Sequence, residues 1–164
     1  MAAGIELRDQ ASGSGATCRD ILATLPDWFG IAEANDHYIE MAERSPTIIA
    51  AVDGRDVGIV VLVRHSAYAG EVYVMAVRPE HHRAGIGRAM LEHAEAALAR
   101  DGVEYLQVKT LSASADDEGY AKTRAFYLAY GFRPLEEFPE LWAPQNPALQ
   151  LVKSVTPPAS PPAR

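Results

Sequence analysis

The sequence predicts a mixed α/β domain, with a largely antiparallel central sheet, one parallel βαβ unit and helices on both faces. Three β-branched runs, Thr47 to Val52, Asp56 to Val63 and Glu71 to Val77, are separated by turn chemistry and read as an antiparallel meander. The third run passes through a glycine-containing turn into an amphipathic helix, which returns as the strand Val103 to Thr110. A helix that links two strands in this way makes them parallel, with a right-handed crossover.

Each element has its own local reason. Ile5 to Leu7 reads as a short first strand, followed by a Ser/Gly-rich turn and a helix over about Thr17 to Leu25 that Pro26 stops. Cys18, Ile21, Leu22 and Leu25 share that helix's apolar face. A second helix over about Ala32 to Arg44 presents Tyr38, Met41 and Ala42 and ends at Ser45-Pro46. Asp53-Gly54-Arg55-Asp56 is a hairpin signal within the meander. Gly85 to Arg100 places Ile86, Met90, Ala94 and Ala97 on one stripe and closes at Asp101-Gly102. A polar loop, Ser112 to Gly119, leads to a helix over about Tyr120 to Tyr130, and Phe132 to Phe138 pairs with Ala148 to Lys153 as a closing hairpin.

The chain has 164 residues, enough for one domain with a real core, assigned here to residues 1–155. Residues 156–164 form a proline-rich tail expected to be disordered. With 48% hydrophobic and 23% charged residues, the composition is that of a soluble globular protein. No apolar run is long enough to span a bilayer, so no membrane partner is expected. A net charge of -7 opposes nonspecific binding to nucleic acid and suits a cationic small substrate. Charges near the N-terminus, where a secretory signal needs apolar residues, and the single Cys18 both point to the cytoplasm.

The chemistry concentrates in Val77 to Leu91, where a β-rich run turns into a helix. Gly85 and Gly87 remove two Cβ atoms beside backbone N–H groups that a first helical turn leaves unpaired. Arg83 and Arg88 add positive charge, so a pyrophosphate would meet donors and cations together. A dinucleotide fingerprint is excluded, because Met90 fills the third small position and Glu104 begins rather than ends the next strand.

His82-Arg83-Ala84-Gly85-Ile86-Gly87 resembles the Gln/Arg-x-x-Gly-x-Gly/Ala motif of the GNAT superfamily of N-acetyltransferases, with His82 standing where Gln or Arg is usual. Glu71 to Val77 resembles the family's central strand, and Ala125-Phe-Tyr-Leu-Ala-Tyr-Gly-Phe132 resembles its aromatic-Tyr-x-x-x-Gly-Phe ending. The resemblance covers roughly residues 47 to 134. It implies the GNAT fold and acetyl-coenzyme A as cosubstrate, without a metal. The implied activity is direct acetyl transfer to a primary amine of a small molecule. Transfer of another acyl group, or to a protein or peptide, is the enzyme alternative, and a degenerate acyl-coenzyme A sensor is the alternative without catalysis.

By the same resemblance, residues 82–88 hold the pyrophosphate, Ile86 and Arg88 included. Backbone N–H groups of Met75, Ala76 and Val77 face the thioester carbonyl, Glu71 is the general base and Tyr127 returns a proton to the leaving thiolate. Tyr120 stands where relatives carry an Asn on the cofactor arm, with Tyr120 and Tyr130 as controls for Tyr127. Strand alternation puts Glu71, Tyr73 and Met75 on one face, with roughly 13 Å between Glu71 and Met75 at about 3.3 Å per residue, so Glu71 acts through water. Its bland alternative is a paired carboxylate at a strand start, and that of Tyr127 a core tyrosine. His65 is a weaker second base candidate, and His81 and His82 sit beside the phosphates. Lys122, Arg124 and Asp116-Asp117-Glu118 read as solvated charges. Trp28, Phe29, Tyr38 and Trp142 are candidates for lining the acceptor pocket, or for core packing or a homodimer face. A covalent route through Cys18 is disfavoured by its apolar helix face.

Overall fold

The computed structural model describes residues 4–155; the proline-rich tail lies outside them. The elements run β1 (Ile5–Gln10), α1 (Gly15–Leu22), α2 (Ala32–Arg44), β2 (Thr47–Val52), β3 (Arg55–Arg64), β4 (Ala69–Val77), α3 (Ile86–Arg100), β5 (Tyr105–Leu111), α4 (Glu118–Tyr130), β6 (Arg133–Ala143) and β7 (Asn146–Ser154). They form a seven-stranded sheet in the order β1-β2-β3-β4-β5-β7-β6. Every neighbouring pair is antiparallel except β4 and β5, as the crossover through α3 requires.

Two apolar layers flank the sheet. On one face Val60, Val72, Leu106, Val108 and Leu151 meet Ile86, Met90, Leu91, Ala94 and Leu98 of α3 and Tyr127 of α4. On the other, Ile49, Ile59, Val61, Val74 and Ala76 meet Cys18, Ile21 and Leu22 of α1 and Ala42 of α2. Packing by α1 falls on β3 and β4. Gln107, Lys109 and Gln150, on that same face of β5 and β7, remain half-buried.

The first helix begins at Gly15 and ends at Leu22, earlier at both ends than the apolar periodicity indicates. At its start the Gly15 N–H donates to the Glu43 carboxylate of α2 at 3.0 Å, while the Ser14 hydroxyl is spent on Thr47 at 2.6 Å. At its end the chain tightens into turns, with Thr24 N–H on the Ile21 carbonyl and Leu25 N–H on that of Leu22. The closing hairpin is longer than expected. An edge strand tolerates the missing N–H groups of Pro134 and Pro139, so β6 continues to Ala143 with register shifts near both prolines.

Candidate active site

The parallel pair is hydrogen-bonded over only four residue pairs, from Ala69↔Tyr105 to Val72↔Val108. Beyond them β4 continues to Val77 against β3, and β5 continues to Leu111 against β7, so the two strands part. Backbone groups of Tyr73 to Val77 that face away from β3 therefore border a gap in the sheet without a ladder partner on β5. Met75, Ala76 and Val77 lie on this edge.

Alternation fails inside β4. Val61 pairs with Val74 and Leu62 with Val72, so Tyr73 is an extra residue, a β-bulge. The bulge turns Tyr73 and Val74 to the α1/α2 side and Met75 to the α3 side. Glu71 and Tyr73 thus share a face, and Met75 lies opposite them, which corrects the single-face expectation.

The gap opens toward the turn between β4 and α3. Arg83 and Gly85 both adopt left-handed backbone, at φ 62° and 80°. Gly85 caps α3 at its N-terminus without any side-chain hydrogen bond to the cap, so the first-turn N–H groups keep their donors free of protein side chains. A Cβ on Gly85 would meet nothing within 4 Å, whereas one on Gly87 would come within 3.2 Å of the Phe126 ring and 3.7 Å of Met75 Cε. Gly87 is therefore small chiefly to let α4 approach α3.

Of the loop side chains, His82, Arg83 and Ala84 are exposed and Ile86 is buried as a core anchor. The His82 ring donates from Nε2 to the Val77 carbonyl at 2.7 Å, because a carbonyl can only accept, and it meets the Trp28 ring edge-on at 5.8 Å. The ring thus braces the turn that Gln or Arg occupies in the motif. Arg88 pairs with Glu92 at 2.9 Å and lies over Tyr130, while Arg83 makes no ion pair among the described residues.

Glu71 is 4% exposed. Lys109 Nζ donates to both its oxygens, at 2.7 and 3.1 Å, and His65 Nε2 stands 3.5 Å away. Alternation and register explain the meeting, since Glu71 pairs with Gln107 in parallel register and Lys109 follows two residues on, on the same face. Gln107 is hydrogen-bonded to Gln150. Burial and the Glu71 charge push the Tyr73 phenol upward. Lys109 had escaped the sequence analysis; its signal was a lone cation inside an apolar strand.

Tyr127 sits in the α3/α4 layer, its ring 5.4 Å from Phe126 and 5.5 Å from Phe132. Burial, with Tyr120 as a lesser cause, pushes its phenol far upward, so the hydroxyl stays protonated at neutral pH. Tyr130 differs, because its hydroxyl donates to Glu95 at 2.7 Å.

Tyr120 donates to the Trp28 carbonyl at 2.7 Å, tying the start of α4 to the loop after α1. A Cβ on Gly119 would come within 3.3 Å of the Trp28 indole. Asp117 caps α4 by accepting from Tyr120 N–H at 2.9 Å, and Arg124 donates to the Leu111 carbonyl at 2.7 Å, so neither is the solvated charge expected. Phe29, Tyr38, Tyr73 and His37 form a chain of edge-on ring contacts at 5.8 to 6.0 Å beside Glu71. Trp142 takes no part in it and stays 46% exposed at the hairpin end. Cys18 is fully buried, which pushes its thiol up to about 11 and removes it as a nucleophile.

Burial, then Tyr38 and Asp117, push the Tyr120 phenol up to about 12 from its ordinary 10. A raised folded-state value gives stability that is complete below pH 10 and is lost as pH rises toward 12, by on the order of 2–3 kcal/mol. Urea unfolding from pH 8 to 11 should therefore show a shallower alkaline loss for Tyr120→Phe than for the wild type. Equal slopes would mean that Tyr120 ionises freely in the folded protein.

Among the described residues, no helix is long and apolar enough to cross a membrane and no group of three His, Cys, Asp or Glu could hold a metal ion. The family model for the acetyltransferase (GNAT) domain matches residues 43–134, which include the meander, the loop, α3, β5 and α4. No curated protein matches the chain at a significant level. Among solved structures, a GNAT-family protein from Desulfovibrio desulfuricans superposes with a TM-score of 0.80 at 18% identity, over 93% of this chain and 100% of that one. The ribosomal-protein-S18-alanine N-acetyltransferase of Escherichia coli gives 0.73 at 16% identity, over 98% and 100%. An aminoglycoside 6'-N-acetyltransferase complexed with coenzyme A gives 0.71 at 15% identity, over 96% and 99%. At these identities the structural likeness speaks for the fold; the family model, spanning more than half of the chain, shows that the chain belongs to the GNAT acetyltransferase family.

Proposed function

We propose that this acetyltransferase takes its acetyl group from acetyl-coenzyme A and passes it directly to a primary amine of a small molecule, in the cytoplasm. The observation that carries the reading is the gap between β4 and β5, with the N-terminus of α3, which has no side-chain cap hydrogen bond, at its end. A thin, extended cofactor arm fits such a gap as a strand would, exchanging hydrogen bonds with the free edge of β4. Its pyrophosphate would lie on the N–H groups of Ile86, Gly87 and Arg88, with Arg83, which makes no ion pair among the described residues, beside it. Tyr120 would reach the arm from α4 in place of an Asn, through its ring, since its hydroxyl is engaged by Trp28.

The acceptor would enter from the α1/α2 side, where the aromatic chain ends beside Glu71. A free alkylamine is mostly protonated at neutral pH, with a reference pKa of about 10.4. Glu71 would accept its proton through water. The amine lone pair then adds to the thioester carbon, the oxyanion is held by N–H groups of Met75 to Val77, and the C–S bond breaks. Tyr127 would donate a hydrogen bond to the departing sulfur, and the thiolate would take the second amine proton.

Thermal unfolding with acetyl-coenzyme A, using NAD and ATP as controls, tests the donor. A ligand at about a hundred times its Kd stabilises by roughly 2.7 kcal/mol, a shift of several degrees in a domain of this size. A selective shift is expected; none at millimolar acetyl-coenzyme A would end the reading. A panel of polyamines, aminoglycosides, amino acids and N-terminal peptides, read by thiol release, then identifies the acceptor class. Turnover confined to the peptides would replace the small-molecule assignment.

A further inference from the structure

We infer that Lys109 is a positioning residue, one that fixes the Glu71 carboxylate at the acceptor side of the sheet by two hydrogen bonds and a countercharge. The inference rests on the base role proposed above for Glu71. A carboxylate that is 4% exposed, on the central strand, would favour its neutral form without a countercharge, and a neutral carboxyl accepts no proton from an amine. Lys109 supplies that charge with two hydrogen bonds, from a neighbouring strand whose register fixes the meeting. The ammonium is itself half-buried, with its side chain 27% exposed, so the pair is mutually held rather than transient.

The groups facing Glu71 come from every side. His65 reaches it from the β3–β4 turn at 3.5 Å, with its side chain 44% exposed. Tyr73 lies on the same face of β4 and is itself met by His37 of α2 and affected by Arg44. From β5 come Lys109 and the neutral Gln107, the latter bonded to Gln150 of β7. Among the described residues, Lys109 is the one lysine or arginine in direct contact with Glu71. His65 is charged only when protonated, and its separation exceeds that of a firm hydrogen bond.

The test compares Lys109→Met, Lys109→Arg and Glu71→Gln, using the panel amine that the wild type turns over fastest. In Lys109→Met the acid limb of the kcat/KM profile is expected to rise by about one pH unit or more, with about a tenfold or greater loss on that limb. KM for acetyl-coenzyme A should stay within about twofold, because Lys109 lies away from the phosphate loop, and Lys109→Arg should restore most of the profile. Because removing one partner of a buried pair destabilises a protein, Lys109→Gln serves as a milder variant. Carbon-13 NMR of labelled glutamate carboxyls, assigned by Glu71→Gln, follows the carboxylate in either variant without any acceptor.

An unchanged acid limb together with an unchanged carboxyl titration in Lys109→Met or Lys109→Gln overturns the inference while leaving Glu71 as base. Full activity in Glu71→Gln overturns both. A loss in Lys109→Met that appears only in KM for acetyl-coenzyme A would show a role at the cofactor and overturn the inference alone.

Discussion

Glu71→Gln is expected to lower kcat/KM for the acceptor amine by about 10²–10⁴ while leaving KM for acetyl-coenzyme A nearly unchanged. The size follows from what a positioned proton acceptor contributes. The selectivity follows from where Glu71 lies: on the paired half of β4, before the bulge, whereas the turn proposed to hold the pyrophosphate begins only after Val77. Glutamine keeps the shape and one acceptor oxygen for Lys109 but cannot take a proton. Steady-state kinetics across pH decide the matter. Rates within about threefold of wild type at every pH would mean that the amine loses its proton to solvent or another group. Tyr127→Phe is the companion measurement, and an effect on kcat in both variants would assign amine deprotonation to Glu71 and stabilisation of the departing sulfur to Tyr127.

The second large effect concerns stability. Phe132→Ala is expected to cost about 3–5 kcal/mol, because the ring is fully buried and its removal leaves a cavity that neighbouring rings fill only in part. At roughly 2–4 °C per kcal/mol for a domain of this size, the melting temperature should fall by about 6–20 °C. Phe132 stands 5.5 Å from the Tyr127 ring and 6.0 Å from that of Tyr130, so the cavity also loosens the proposed donor. Leu135→Ala, at a residue 61% exposed on the edge strand, is the control and should change stability by less than about 0.5 kcal/mol. A Phe132→Ala melting temperature equal to that of the control would show that the α4–β6 corner contributes little to the core.

The meander, the crossover helix and the parallel pair were legible because period-2 and period-3.6 patterns are properties of short stretches of chain. The turn from β4 into α3 was legible for the same reason, its glycines and arginines lying within the short stretch Arg83 to Arg88. The Tyr73 bulge was not. Glu-Val-Tyr-Val-Met-Ala-Val reads as an unbroken strand, and the extra residue exists only relative to β3. The start of α1 was hidden similarly, since its first N–H is capped by Glu43 from another helix while the nearby Ser14 is engaged elsewhere. Lys109 shows the limit most clearly. Its partnership with Glu71 depends on the register of two strands separated by a whole helix, and no local pattern encodes register across such a distance.

The four-pair junction between β4 and β5 also gives the molecule a seam. On either side of it the strands belong to antiparallel groups, β1 to β4 and β5 to β7, each zipped over most of its length. Across it the two halves are bridged by α3 and α4 and stitched at one end only. A ligand laid along the open end acts as a clasp, finishing the stitching that the backbone leaves undone. An acyl donor bound there, as proposed, would hold the two groups together at their open end and stabilise the folded protein by mass action.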